Sequence, residues 1–517
     1  MNLAAVADRF PLRPTVAAVA CALALPLHAQ TAPAPSLVDP ALGVRTVVSG
    51  LEQPTHLAFL GADDFLVTEK ASGKVRRVVG GAVHSTVLDL AVNSASERGL
   101  LSIALHPDFP RNPGVYLYWS ESSTGVDSAA LADVPLLGNR VDRFTWTGNS
   151  LVFDRNIIRL RALQADAGQP LRGNHDGGVI RFAPRDAGRD AGNGDGHDHD
   201  DDDDDRDHMR DRRAKLFIIV GDLGRRGLMQ NNQQGPVPDD QFGGPEPDDA
   251  HLSGVVLRLN DDGSTPRDNP FWRAGRRIGG EAGENIQKLF GYGFRNSFGM
   301  AFDPKTGELW TQENGDDSFT EINRVRPGHN GGWIQVMGPL SRIDQFKQIE
   351  TTQFGSALQQ LRWPPTLIAD SPQEARSRMF MLPGARYSDP EFSWKYELPP
   401  AGIGFVDGRG LGRAYDGDLI LGAARIGVPP SNVPGATVVS GHLFRLQLAP
   451  GRRQFAFDDP RLADKVADNL DKHDITESES LLFGRDFGIG TDIRTGPNGN
   501  LYVVSLTGGA VYEIFRK

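Results

Sequence analysis

Three short polar constellations in this 517-residue chain carry residue types and spacings suited to chemistry. The first is Asn174-His175-Asp176-Gly177-Gly178, followed further along by Val220-Gly221-Asp222. A neutral imidazole at His175 could take a proton from a hydroxyl, general-base work worth about 10²–10⁴ in rate. A carboxylate at Asp222, set against the other ring nitrogen, would fix the tautomer and raise basicity. A turn histidine and a strand-terminating aspartate account for the same residues without catalysis. The second constellation, Tyr292-Gly293-Phe294-Arg295-Asn296, offers a planar guanidinium fork and an amide that both donates and accepts. As a surface ion-pair residue, Arg295 would need no further explanation. The third, Glu313-Asn314-Gly315-Asp316-Asp317 with Glu321 nearby, is an oxygen-rich turn of the kind that suits Ca²⁺ through carbonyls and carboxylates. It lacks EF-hand spacing, and an acidic turn is also simply solvated.

The elements that must position these groups recur along the chain. A strand of small or apolar residues, a tight turn with Gly, Asp or Pro, and a second apolar strand begin at Pro54, Arg98, His175, Arg295, Gly402 and Thr491. Sixty Gly and 35 Pro make the chain turn-rich and argue against long helices. Short alternating strands between Gly-rich turns indicate an all-β chain. Six units in order indicate radial repetition, a six-bladed β-propeller whose functional groups converge from distant copies at one end of the channel. The last copy ends close to the C-terminus, so Arg45-Thr46-Val47-Val48 is expected to supply the outer strand that closes the ring. The best helix candidate is Asp459 to Asp471.

Charge and composition exclude several classes. The net charge is −11, yet residues 190–211 hold eleven Asp against Arg206 and Arg210, so the rest of the chain is nearly neutral. No basic footprint for nucleic acid is present. The acidic run falls inside the third unit, where it can loop out; its His197, Asp198, His199 and Asp200 could hold metals only loosely. No Gly-rich phosphate loop joins a strand to a helix, no GxSxG elbow appears, and Cys21 is the one cysteine. Arg9 and Arg13, the apolar stretch Thr15 to Leu27, and Leu27-His28-Ala29 together read as an export signal cleaved after Ala29. Cys21 lies within that signal and loosely resembles a lipoprotein site. No other apolar run approaches the ~18 residues needed to span a bilayer. The expected organisation is a signal at 1–29, a flexible segment at 30–43, and a propeller at 44–517 with a disordered acidic insert at 186–213.

At these same residues the sequence resembles the soluble quinoprotein glucose/sorbosone dehydrogenase family. The matching segments include Glu97 to Pro107, Asn174 to Gly178, Val220-Gly221-Asp222, Gly254 to Phe271, Tyr292 to Phe302, Glu321-Ile322-Asn323 and Pro400-Ala401-Gly402, in family order over most of the chain. The resemblance implies a six-bladed propeller carrying pyrroloquinoline quinone (PQQ) and Ca²⁺ at the top of its channel. It implies oxidation of an aldose at the anomeric hydroxyl to the lactone, with hydride passing to the quinone. By position, His175 resembles the general base and Asp222 its orienting carboxylate. Arg295 and Asn296 resemble the pair that contacts the quinone oxygens. Gly315 and Asp316 occupy the positions whose carbonyls bind Ca²⁺, and Arg425 stands where a Lys often pairs with PQQ. The chain departs from the family at Arg98, which replaces a Gln, and at Phe298. It also departs at Ile489 and Thr491, where two PQQ-binding arginines are usual.

The reading is therefore an exported, periplasmic or secreted PQQ- and Ca²⁺-dependent sugar dehydrogenase. Its expected partners are a small-molecule sugar and an external electron acceptor, a cytochrome or quinone, with no nucleic acid and no membrane span. A Ca²⁺-dependent propeller lactonase and a non-catalytic carbohydrate-binding propeller are the alternatives.

Overall fold

The computed structural model describes residues 33–163, 173–184, 213–224, 252–353, 368–427 and 437–517. The chain folds into an all-β propeller built from six sheets. The first blade comprises Pro54–Gly61, Asp64–Glu69, Lys74–Val79 and Ala82–Asp89. The second is Leu100–Leu105, Gly114–Ser120, Asn139–Trp146 and Leu151–Leu160. The third holds Val179–Phe182, Lys215–Val220, Val255–Asn260 and Leu289–Tyr292, and the fourth Gly299–Phe302, Leu309–Glu313, Ser318–Val325 and Phe392–Tyr396. The fifth holds Pro400–Phe405, Leu419–Gly427, Thr437–Leu448 and Leu482–Arg485.

These five sheets take four antiparallel strands in chain order, and the expectation of six such units is corrected to five blades. The sixth sheet is a composite of strands from distant parts of the chain. Gly490–Thr495, Leu501–Ser505 and Ala510–Arg516 run in order, and Leu42–Ser49 pairs antiparallel with the last of them as its outer strand. That pairing satisfies a backbone edge that Ala510–Arg516 would otherwise leave open. Within the expected 30–43 segment, two stretches take strand pairings. Ser36–Leu37 pairs with Arg485 and Gly484, and Leu42 and Gly43 lie in the outer strand.

Alternation along the strands explains why the sheets stack side by side. Leu216, Ile218 and Val220 pack towards the second blade, whereas Phe217 and Ile219 from the same strand pack towards the fourth. Residues of period two face opposite sides of a sheet, so a strand that is apolar throughout needs a neighbour on both faces. Apolar clusters of this kind join each sheet to the next, including the composite sheet to the first blade.

Helices are few and short: Trp272–Ile278, Gly280–Ile286, Ile343–Gln348 and Pro372–Arg378 among the described residues. The expected helix at Asp459 to Asp471 is instead a single 3-10 turn, Pro460–Leu462, followed by the strand Val466–Ala467. Lys465 has φ 67, a left-handed value that ends helical propagation. Among the described residues no helix is long and apolar enough to cross a membrane. The expected export signal and the acidic run at 190–211 lie outside the described residues.

Candidate functional site

Each polar group enters at one of two equivalent positions: just before a sheet's innermost strand, or just after the strand paired with it. Glu97 precedes Leu100–Leu105, His175 precedes Val179–Phe182, and Arg295 and Asn296 precede Gly299–Phe302. Asp222 follows Lys215–Val220, and residues 314–317 follow Leu309–Glu313. In antiparallel pairing these two positions are neighbours, so three successive blades deliver polar ends to one place.

His175 is buried and has φ 61, the left-handed region that non-glycine residues rarely occupy. Two contacts hold it there. Its backbone N–H donates to Glu97 Oε2 at 2.5 Å, and its Nδ1 lies 2.6 Å from Asp222 Oδ1. Gly221 permits this approach, because a Cβ at that position would fall 2.2 Å from the His175 carbonyl oxygen. Asp222, fully buried, also accepts from Trp333 Nε1 at 2.9 Å and from the Gly224 N–H at 2.7 Å. With a carboxylate as partner, the proton of a neutral imidazole resides on Nδ1 and the basic lone pair on Nε2.

Glu97 joins this pair to the fourth blade. Its second oxygen accepts from Asn296 Nδ2 at 3.4 Å. Next to it Arg98 is fully buried, donates to the Leu131 carbonyl at 3.1 Å, and leaves Nε and Nη1 without a hydrogen-bond partner. Burial lowers the Arg98 pKa, against the opposing pull of Asp176. Burial raises that Asp176 carboxyl to about 7, against the opposing pull of Arg98 and a hydrogen bond from Asn139.

Arg295 is buried and spans the next turn. Nη1 donates to the carbonyls of Asn314 at 2.9 Å and Gly315 at 2.8 Å, Nη2 pairs with Asp316 Oδ1 at 2.7 Å, and the guanidinium lies over Trp333. Its backbone N–H donates to Glu313. Burial, then repulsion from Glu321, drives the Glu313 carboxyl well above its usual range, and burial pushes Glu321 to about 7. Glu321 also accepts from Asn323 Nδ2 at 2.9 Å. Arg295 Nε and Asn296 Oδ1 are buried without a partner.

The remaining expected residues are placed as follows. Arg425 lies near the end of the second strand of the fifth blade, opposite Ser440 and exposed. Its charge, after burial, helps lower the His442 pKa to about 4. Among the described residues no contact joins Arg425 to His175, Asp222, Arg295 or Asn296. Thr491 Oγ1 donates weakly to the carbonyls of Pro54 and Val504, at 3.4 and 3.3 Å. Arg494 pairs with Asp492, which also binds Arg181 at 2.7 Å. The carbonyl of Asp316 and the Asp317 carboxylate accept from Lys472 Nζ at 2.9 and 2.8 Å. Sequence reasoning missed Glu97, Trp333 and Lys472 as parts of this region. Only Glu97 had a signal, its place directly ahead of an inner strand within a matching segment.

A family model described as Glucose / Sorbosone dehydrogenase matches residues 51–209 and 208–372. Quinoprotein glucose dehydrogenase B of Acinetobacter calcoaceticus is 27% identical over 304 residues, 57% of this chain and 52% of that protein. Aldose sugar dehydrogenase YliI of Escherichia coli K12 is 27% identical over 294 residues, 56% of this chain and 62% of that protein. The matched regions thus span less than two thirds of these curated relatives. Among solved structures, an oxidoreductase described as a glucose dehydrogenase from Thermus thermophilus has a TM-score of 0.54 at 25% identity, covering 92% of this chain and 100% of that one.

Proposed function

The chain belongs to the glucose/sorbosone dehydrogenase family, and from that membership we propose that it is a PQQ-dependent aldose dehydrogenase converting the anomeric hydroxyl to the lactone. The observation that carries the reading is the buried His175–Asp222 pair, 2.6 Å apart, set beside Arg295 and Asn296 through Glu97. His175 Nε2 takes the proton of the anomeric hydroxyl. Asp222 then stabilises the cationic ring, because its bond to Nδ1–H becomes charge-assisted. PQQ, when bound, supplies the two-electron acceptor for the hydride leaving the anomeric carbon.

The residues present fit a quinone. The unpartnered Arg295 Nε is a buried N–H donor, and the Asn296 amide, with its oxygen unpartnered and its N–H₂ only 3.4 Å from Glu97, can present donors to a second oxygen. Arg425 is the proposed contact for a PQQ carboxylate, since Ile489 and Thr491 supply no charge. The residues present do not fit calcium. The carbonyls of Gly315 and Asp316 already accept from Arg295 and Lys472, and no step is assigned to that ion.

The proposal includes a sugar as substrate, an external cytochrome or quinone as acceptor of the electrons, and export to the periplasm or medium through residues 1–29. The purified protein, mixed with PQQ, an aldose panel and a redox dye, is expected to reduce the dye only when PQQ is present. Lactone hydrolysis without dye reduction would replace this reading with a hydrolase.

A further inference from the structure

The turn at 314–317 is held by cations that belong to the chain itself. Gly315 closes it, since a Cβ there would fall 1.9 Å from the Ser318 carbonyl oxygen. Its carbonyls then point at two side chains from elsewhere. Arg295 takes those of Asn314 and Gly315 and pairs with the Asp316 carboxylate. Lys472 takes the carbonyl of Asp316 and the carboxylate of Asp317, with Glu397 Oε2 at 3.8 Å.

Lys472 is delivered by a braced loop. Asn469, 1% exposed, accepts from the Tyr396 N–H at 2.8 Å and donates to the carbonyls of Tyr396 and Asp474 at 3.1 and 3.0 Å. The next residue, His473, donates its N–H to the Glu397 carbonyl at 2.8 Å. The ammonium therefore arrives at a fixed position.

Asp316, Asp317, Glu350 and Glu397 surround the turn. Glu350 Oε1 accepts from the Asp317 and Ser318 N–H groups, each at 3.1 Å. Calcium requires six to eight oxygen ligands, whereas an ammonium is satisfied by about three acceptors.

We propose that Lys472, together with Arg295, holds at the turn 314–317 the carbonyls to which the family resemblance assigns a cofactor-site calcium ion, so that this chain's turn is cation-closed and calcium-independent. The inference concerns the folded protein alone and stands whether or not the dehydrogenase reading holds.

The test is thermal unfolding of the wild-type protein and of Lys472→Met, each with a chelator and with excess calcium, alongside terbium luminescence titrations of both. The wild-type midpoint is expected to be the same in chelator and calcium, with no saturable terbium site. Lys472→Met is expected to melt lower in chelator, to recover by about 2 °C or more on calcium addition, and to gain a saturable terbium site. A wild-type protein that binds terbium saturably and melts higher in calcium overturns the proposal. So does a folded Lys472→Met whose midpoint is unchanged in chelator and calcium alike. Should Lys472→Met not fold, the wild-type titration alone still decides, with Lys472→Arg expected to fold and remain calcium-insensitive. PQQ-dependent dye reduction is read separately and enters neither outcome.

Discussion

Two neighbouring regions at the same end of the propeller are built on opposite principles. Around His175, order comes from hydrogen bonds: one imidazole, one carboxylate with three N–H donors, and a glutamate that spans two blades. Around the turn 314–317, order comes from charge: among the described residues, acids such as Asp316, Asp317 and Glu397 set against Arg295 and Lys472. The first arrangement keeps a ring nitrogen basic and oriented while leaving few net charges to resist a proton's arrival. The second ties its acids to fixed cations and N–H groups, so it suits holding a shape. The difference is one of division of labour between adjacent blades.

The largest expected effect tests the charged region. Asp316→Asn removes the partner of a buried guanidinium, a change that costs about 3–5 kcal/mol when a charge is left unpaired. Chemical denaturation should show that loss, and a variant as stable as the wild type would mean that Arg295 is held by its carbonyl contacts alone. The counterpart in the first region is His175→Ala, expected to lower dye-linked turnover by about 10²–10⁴ while leaving the unfolding midpoint near wild type. If stability fell and turnover did not, the two regions would have exchanged roles.

Asp222→Asn is a milder version of the same cut. It removes the charge that orients the ring but keeps one acceptor, and turnover should fall about tenfold, an effect short of losing the base itself. Steady-state rates over a pH series would separate a lost orienter from a misfolded strand end.

The smallest expected effect is a pH slope. Glu397 has a folded pKa of about 7 against an ordinary 4.5, so the folded state binds the proton more tightly than the unfolded chain. Its contribution to stability is full below about 4.5 and is lost as pH rises through about 7. Unfolding midpoints should decline across that window, and Glu397→Gln, permanently neutral, should flatten the decline. An unchanged slope in the variant would assign the titration to Glu350, Glu321 or Asp176 instead.

Much of this was legible in the residues. The six inner hairpins begin where the sequence units begin, because alternating apolar residues and Gly-rich turns are local signals that survive folding. His175 and Asp222 meet because they bracket the two paired strands of one hairpin, which any antiparallel register would bring together. Arg295 and the 314–317 turn meet for the same reason. Arg425 shares the equivalent position in the fifth blade, yet among the described residues makes no contact with them, because pairing within one blade says nothing about contact between blades. Five blades and a composite sheet, rather than six alike, follow from the long-range pairing of Leu42–Ser49 with Ala510–Arg516. The single turn at Pro460–Leu462 follows from a left-handed Lys465 that composition does not reveal.

The sequence by itself determined the all-β class, the repeat, and which residues would pair across each hairpin, since period-two alternation and turn chemistry act over a few residues. Tertiary structure alone decided what crosses between blades. Glu97 reaches His175 and Asn296, Trp333 reaches Asp222, and Lys472 reaches the carbonyl of Asp316 from 156 positions away. Such contacts depend on loops whose conformation is set by packing rather than by local preference. A lysine in a polar loop looks like any solvated lysine until the fold sets acidic residues and an open carbonyl around it.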